Sequence, residues 1–283
     1  MVCALASACC FGTASVLQAV AARAVETGSA SGVDPVLLLR ALRQWRYAAG
    51  LALDALGFLL QIAALRSLPL YAVGASLAAS LAVTAVVASW LLDARLSTAD
   101  WVAVATMCAG LAMVFPAAGS QGQHPGPVAL RWSLPGLVLI VLVIGAIAGR
   151  FADRPRALLL GLGAGVAFAA VEVAIRLIGS FAVPQIFSDP ALYTVLLGGL
   201  AGFVLLTSAF QRGSVTVATA GMVLVETAGP AVVGIVWLGD RPRNGLEWLA
   251  ATGFVAAVAG ALALTRFGGV AGRASDRQPP QRQ

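Results

Sequence analysis

Long apolar runs alternate with short polar segments along nearly the whole chain. A membrane-spanning helix needs about 20 mostly apolar residues, and nine runs of this kind occur. They cover approximately residues 2–24, 46–66, 69–92, 99–116, 134–150, 157–180, 191–211, 214–238 and 246–266. The intervening segments are rich in Gly, Pro, Ser, Asp and Arg, which are typical of turns and loops. The pattern predicts an all-α polytopic membrane protein with about nine transmembrane helices.

The overall composition agrees with this fold class. Of the 283 residues, 60% are hydrophobic and only 11% are charged, whereas a soluble domain is about 45–50% apolar and about 25% charged. This composition excludes a soluble globular protein and a disordered one. An outer-membrane barrel is also excluded, because its strands alternate apolar and polar residues and give only a weak hydropathy signal.

The distribution of basic residues predicts the orientation of the helices. All 18 basic residues are arginine. If the N-terminus lies outside, 13 of them fall on the cytoplasmic side and 5 outside, in agreement with the positive-inside rule. We therefore expect an outside N-terminus, a cytoplasmic C-terminus, and a location in the plasma or inner membrane of the cell. No basic stripe with interleaved aromatic residues occurs, so the expected partner is the lipid bilayer and not nucleic acid.

The two halves of the chain resemble each other in sequence. The matching positions are 57–60 with 202–205, Asp93 with Asp240, Trp101 with Trp248, and Gly12 and Arg23 with Gly165 and Arg176. In these matches, helices 1–4 correspond to helices 6–9. Matching helices are five apart, an odd number, so they cross the membrane in opposite directions. This is an inverted-topology repeat, common in secondary transporters, whose substrate site lies at the repeat interface.

The repeat predicts the organisation of the chain. We expect a first repeat half at 1–116, an outer loop at 117–133, an unpaired fifth helix at 134–150, a second repeat half at 157–266 and a disordered cytoplasmic tail at 267–283.

Several of these segments match a known family. The stretch from Asp54 to Met113 contains DALGFLLQIAALRSLPL, a helix ending in LLDARLS and a final helix ending in AGLAMV, and it resembles the EamA-type repeats of the drug/metabolite transporter superfamily. The second half carries the related pieces GFVLLTSAFQRGSV, IVWLGDRP and EWLAATGFVAAVAGAL. A count of nine helices resembles the NIPA-type magnesium-transporter branch. That branch has an acidic residue four positions before a phenylalanine, as in Asp54 and Phe58, and another at a helix end, as in Asp93.

Three acidic residues fall inside apolar runs: Asp54, Glu172 and Glu226. An ionised carboxylate in hydrocarbon costs roughly 2.5–3.5 kcal/mol, so such a group usually faces a cavity, forms a pair or has a function. Glu226 is expected about 18 Å from the inner end of its helix, at 1.5 Å per residue, which is near the midplane. Gly229 and Pro230 follow it, and because proline has no N–H, the helix is expected to hinge there.

The remaining polar positions extend this set. Asp54 shares a helix face with Gln61, seven residues later, and Gln18 is expected at a comparable depth. Arg176 follows Glu172 by four residues, the favourable order for an ion pair, so a structural Glu172–Arg176 pair is predicted. The expected substrate- or proton-binding residues are Glu226, Asp54, Gln61, Gln18 and Glu172.

These features favour a secondary transporter that moves a small metabolite or drug by alternating access without ATP; proton coupling and a homodimer are left open. One alternative is a magnesium transporter, with Asp54 and Glu226 as metal ligands. Another is a non-transporting accessory or lipid-translocating membrane protein. No hydrolase, zinc-protease or nucleotide-binding motif occurs, so neither enzyme activity nor a cofactor is expected. The four cysteines lie in apolar runs and indicate neither a disulfide nor a metal site.

Overall fold

The protein is built from helices joined by short connections. The structure, a computed structural model, describes residues 1–25, 45–91, 96–122, 124, 126–148, 153–179, 187, 189–212 and 215–275. In chain order the helices are α1 (Val2–Val25), α2 (Trp45–Leu65), α3 (Leu70–Leu91), α4 (Thr98–Ala117), α5 (Val128–Ala148), α6 (Asp153–Leu177), α7 (Pro190–Arg212), α8 (Val215–Val233) and α9 (Glu247–Ser275). The described residues contain no β-strand.

The length and composition of these helices are those of a multi-pass membrane protein. Eight of them, α2 to α9, are long and apolar enough to cross a membrane, while the apolar part of α1, Val2–Gln18, is shorter. Large apolar side chains cover the outer surface, and Leu59, Leu200 and Phe203 are each more than 60% exposed. Contiguous apolar surface of this extent is rare on soluble monomers and is typical of a surface in contact with lipid. The predicted all-α membrane fold is therefore confirmed at this level.

The helices pack closely through small residues. Helix α1 packs on α2 and α3, α6 packs on α7 and α8, α4 packs on α9, and α5 lies against α6 and α7. A Cβ atom added to Gly12 would lie 2.6 Å from Cβ of Val83 in α3, and one added to Gly165 would lie 2.6 Å from the carbonyl oxygen of Met222 in α8. Glycine at these positions lets the helix backbones approach each other, as is typical of membrane helices.

Two of the spans depart from regular α-helical geometry. Helix α3 consists of the segments Leu70–Ala78 and Ser80–Leu91, with an interruption at Ala79. Helix α8 continues beyond Val233 as a π-helix, Gly234–Leu238. Gly239 ends it with a φ of 77°, in the left-handed region that favours glycine. Irregular turns of this kind occur frequently at functional sites.

The fifth and sixth helices begin earlier than the sequence pattern predicts. Helix α5 begins at Val128, so the outer loop predicted at 117–133 is shorter, and its first turn is supported by a hydrogen bond from the Leu130 amide to the Pro127 carbonyl. The predicted start at 134 is therefore six residues too late. Helix α6 begins at Asp153 and not at 157, because a proline in the first turn is compatible with a helix.

The C-terminal region also differs from its prediction. Helix α9 continues to Ser275, into the segment for which a disordered tail is predicted from 267. The segment contains three glycines, which are poor helix formers, but the first proline after Thr265 stands only at 279. Residues 276–283 lie outside the described part of the chain.

The contact between α4 and α9 gives a direct test of this packing. A Cβ atom added to Gly110 would lie 2.6 Å from both the Ala257 amide nitrogen and the Gly253 carbonyl oxygen. Because backbone cannot yield locally, Gly110→Ala should destabilise the protein by about 1–3 kcal/mol, visible as a lower midpoint of thermal unfolding in detergent. Gly136→Ala in α5 is the matched control, since nothing lies within 4 Å of its added Cβ. Equal midpoints for the two variants would contradict the close approach of α4 and α9.

Candidate functional site

A central cavity of about 420 Å³ lies among α1, α2, α3, α6, α7 and α8. It lies at the level where α3 is interrupted, because Ala78, Ser80 and Leu81 contribute to its wall. Its other polar side chains are Gln61, Glu172, Glu226 and Thr227, and its aromatic ones are Phe11, Phe58 and Phe168. The remaining wall is mostly aliphatic. The structure thus brings together three of the five side chains predicted to bind substrate or protons: Gln61, Glu172 and Glu226.

Glu172 is the most deeply buried acidic residue of the cavity wall. It lies on α6 and is only 2% exposed. Its Oε1 accepts a long hydrogen bond, 3.4 Å, from Nε2 of Gln61 on α2. Within the described part of the chain, Oε2 of Glu172 has no hydrogen-bond partner. A buried carboxyl oxygen without a donor is unfavourable, so this atom is available to a ligand or a proton.

Glu226 faces the same cavity from α8 and is partly buried. The neighbouring Thr227 hydroxyl donates to the Val223 carbonyl of its own helix at 2.7 Å, so it is occupied by the main chain, and the Glu226 carboxyl group is the charged side chain that this turn presents to the cavity. Gly229 and Pro230 lie one turn further along and do not line the cavity. Helix α8 continues through Pro230, and its irregular geometry begins at Gly234. A hinge at Gly229 and Pro230 stays a prediction.

Asp54 and Gln18 lie apart from the cavity wall. Nε2 of Gln18 on α1 donates to Oδ2 of Asp54 on α2, so the two side chains satisfy each other between neighbouring helices. Neither residue lines the cavity. Asp54 therefore does not share the cavity wall with Glu226, and a metal site formed by these two residues stays a prediction. Among the described residues, no group of three or more His, Cys, Asp or Glu side chains could hold a metal ion.

The predicted Glu172–Arg176 pair is wrong. Arg176 instead forms a buried ion pair with Asp240, whose Oδ1 lies 3.1 Å from Nη2, and the two side chains are only 4% and 0% exposed. Its guanidinium also donates to the carbonyls of Leu65, at 2.6 Å, and Gly122, at 3.0 Å. The long arginine side chain reaches past the end of α6 to carbonyls at the end of α2 that have no helical donor. Helical spacing alone could not reveal this alternative.

Asp240 joins the ends of several spans. Its Oδ2 accepts from the Leu70 amide at the start of α3, and its Oδ1 accepts from the Gly122 amide, each at 2.7 Å. We refer to Arg176, Asp240 and the main-chain groups that they bind as the clamp. Leu65, Leu70 and Leu238, all fully buried, pack beside it. The clamp therefore closes the end of the helix bundle at which α2, α6 and α8 end.

Sequence reasoning missed both the clamp and the aromatic wall of the cavity. The sequence pattern identifies Asp240 only as a matching position of the repeat, and helical spacing pairs Arg176 with Glu172. The recurrence of an arginine and an aspartate at matching positions of the two halves was the available signal. The wall phenylalanines Phe11, Phe58 and Phe168 carry no such signal, because phenylalanine is ordinary in an apolar helix.

Comparisons with known proteins add no assignment to this geometry. No protein-family model, no curated protein and no solved structure matches the chain. The resemblance to EamA-type and NIPA-type transporters therefore contributes only to the proposals below.

The clamp predicts a specific pattern of energetic coupling. Removing one partner of a buried ion pair strands the other charge and typically costs about 3–5 kcal/mol, so Arg176→Ala and Asp240→Ala should each lower the midpoint of thermal unfolding strongly. The double variant should lose less than the sum of the two single losses.

Two other pairs serve as controls for this cycle. Arg176→Ala combined with Glu172→Gln should be additive within about 0.5 kcal/mol. The Arg131–Asp189 pair is 3.6 Å long and more exposed, so breaking it should cost less than about 1 kcal/mol. Additive losses for Arg176 and Asp240, with coupling between Arg176 and Glu172, would contradict the clamp.

Proposed function

We propose that this protein is a secondary transporter that carries a small organic molecule across a cell membrane through the central cavity by alternating access. The observation that carries the proposal is a drug-sized cavity within the membrane-spanning helices, with a fully buried carboxyl group in its wall and one closed end. Cavities of about 300–1,000 Å³ with a few polar groups in an apolar wall are typical of small-molecule sites. In this proposal, substrate binds beside Glu172 and Glu226.

Nine spanning helices in an inverted repeat are part of the proposal. The packing pattern supports the repeat, because α1 packs on α2 and α3 while α6 packs on α7 and α8. At the crossing of α4 and α9, Gly110 contacts Ala257. Ala257 lies 147 residues after Gly110, which is the same offset that separates the matching residues Trp101 and Trp248. Contact of a position with its own equivalent is typical of a two-fold axis. The arginine distribution supports an outside N-terminus and a cytoplasmic C-terminus.

The two ends of the cavity region differ, as alternating access requires. Near the clamp, the segment Leu70–Ala78 of α3 is buried almost throughout, whereas no residue from 83 to 91 is buried. This contrast supports a state that is closed at the clamp and accessible from the opposite face. That face is the predicted cytoplasmic side, where most of the arginines lie, and we refer to it as the arginine-rich face. The opposite state would require the clamp to open.

The magnesium alternative rests on the two carboxyl groups and the amide of Gln61 in the cavity wall. Mg²⁺ usually binds one or two carboxylates and keeps several waters, so two acidic residues are sufficient in number. The apolar remainder of the wall favours an organic molecule. No catalytic activity is included in the proposal, and its only partners are the bilayer and the transported molecule.

Accessibility of the cavity from each side of the membrane tests alternating access without knowledge of the substrate. In a variant without the four native cysteines, Ser80→Cys should react with a small impermeant methanethiosulfonate reagent from the arginine-rich face, and slowly from the other face. Adding Arg176→Ala and Asp240→Ala should increase the rate from the clamp face about tenfold or more, because these changes also remove the hydrogen bonds to the Leu65, Leu70 and Gly122 main-chain groups, each worth about 1.5–3 kcal/mol. Reaction from one face alone in both variants would contradict a transporter.

Because two carboxyl groups line the cavity, we expect the reaction of Ser80→Cys with the methanethiosulfonate reagent to depend on pH. A closed apolar cavity disfavours an ionised carboxylate, so a chain with protonated Glu172 and Glu226 should switch state more readily. The ratio of the Ser80→Cys reaction rate from the clamp face to that from the opposite face should therefore rise as the pH falls. The ratio cancels the loss of thiolate, which is the reactive form of cysteine. Glu226→Gln should weaken this dependence, and addition of Glu172→Gln should remove it. Asp54→Asn is the control and should leave the dependence unchanged, because Asp54 does not line the cavity.

A further inference from the structure

We propose that the molecule bound in the central cavity is a small organic cation with an apolar or aromatic body and one ammonium group, held by Glu172. This inference rests on the proposed function and specifies the class of its substrate. It is carried by the charge of the cavity wall, by one unpartnered carboxyl oxygen and by the aromatic side chains beside it.

The described charged side chains of the cavity wall are all acidic. Within the described part of the chain, Glu172 and Glu226 line the cavity and no basic side chain does. The nearest arginine along α6 is Arg176, whose guanidinium is occupied by Asp240 and by main-chain carbonyls. It is therefore not available to neutralise the cavity. Buried carboxylates without a protein cation are stabilised by a proton or by a bound cation, and an anionic substrate would meet repulsion.

The oxygen that a ligand would bind is identified by its lack of a partner. Oε2 of Glu172 is buried and accepts no hydrogen bond within the described residues, while Oε1 is turned toward Gln61. An ammonium group carries N–H donors and no acceptor, so it matches a carboxylate oxygen that lacks a donor. Hydrogen bonds between charged partners are about twice as strong as neutral ones. Binding of such a group would satisfy the least favourable polar atom of the cavity.

The aromatic part of the wall selects an organic cation over a hydrated metal ion. Phe11, Phe58 and Phe168 reach the cavity from α1, α2 and α6, and the other wall residues are largely aliphatic. Ring faces attract cations and also contact an apolar body. Mg²⁺ binds oxygen ligands and retains its waters, for which a phenylalanine wall offers no acceptor. A cavity of about 420 Å³ accommodates an aryl-alkyl amine.

Binding to the purified full-length chain in detergent tests the inference. The probes are 2-phenylethylammonium, its neutral analogue 2-phenylethanol, the anion 3-phenylpropionate and Mg²⁺, each titrated by isothermal calorimetry. We expect the ammonium probe to bind at least about tenfold more tightly than the other three, the size of one hydrogen bond to a charged group. Comparable binding of the neutral or anionic probe, or tighter binding of Mg²⁺, would overturn the inference.

Two variants assign the binding to the cavity. Glu172→Gln should weaken the ammonium probe about tenfold or more, whereas Asp54→Asn, an equivalent change outside the cavity, should leave it unchanged. Because a change at a buried position can impair folding, Phe58→Leu provides a second measurement and should weaken the same probe about threefold through loss of its ring. Unchanged affinity in both Glu172→Gln and Phe58→Leu would refute the site.

Transport in proteoliposomes separates this inference from the proposed function. If the ammonium probe binds through Glu172 but is not carried across the membrane, the substrate class stands and the transporter proposal fails. If the neutral or anionic probe is carried and Glu172→Gln leaves its transport unchanged, the transporter proposal stands and the cationic class fails.

Discussion

The buried ion pair between Arg176 and Asp240 is the constraint on which the closed end of the protein depends. Removing two charges from water costs several kcal/mol for each ion, and a buried pair is tolerated only where further hydrogen bonds satisfy both partners. Here the Asp240 carboxylate accepts from the Leu70 and Gly122 amides, and the Arg176 guanidinium donates to the Leu65 and Gly122 carbonyls. These main-chain groups lie at helix ends and in a loop, where helical hydrogen bonding cannot satisfy them. One pair therefore satisfies charges and backbone together, and it holds the end of α2, the start of α3 and the loop after α4 in one arrangement.

This constraint determines where the rest of the bundle can change shape. Beyond the clamp, α3 is interrupted at Ala79, and α8 changes to π-helical geometry at Gly234. A regular helix resists bending, whereas an interruption or a π-turn gives a defined place for it. The interruption lies in the cavity wall, and the π-turn lies between the cavity and Asp240. If the clamp opened, α3 could bend at Ala79 and α8 could bend at Gly234. A change at the closed end would then also move the cavity wall.

The sequence predicted the positions of the apolar helices well and the side-chain partners poorly, and the reason is physical. Hydropathy reports the length of an apolar run, so the helices were located correctly, while the starts of α5 and α6 were predicted six and four residues too late. The rarity of carboxylates in apolar runs identified Glu172 and Glu226. Helical spacing assigned Arg176 to Glu172, but a long side chain near a helix end can reach beyond its own helix. The hydrogen bond between Gln18 and Asp54 and the aromatic wall arise from packing between separate helices, which periodicity along one helix does not encode.

Asp54 and Glu172 illustrate why two similar residues acquire different roles. Both are carboxyl groups within apolar helices, but Asp54 receives a hydrogen bond from Gln18, whereas Oε2 of Glu172 has no donor within the described residues. A buried unsatisfied polar atom lowers stability by about 1–3 kcal/mol, and a protein gains nothing structurally from keeping it. Such an atom is favourable only in a state in which a proton or a cation occupies it, and the free energy of binding then includes relief of the unsatisfied state. The same oxygen that weakens the empty protein can therefore contribute to binding of the proposed cationic ligand. If Oε2 of Glu172 had a hydrogen-bond donor, as Asp54 has in Gln18, both the loss of stability and the contribution to binding would disappear.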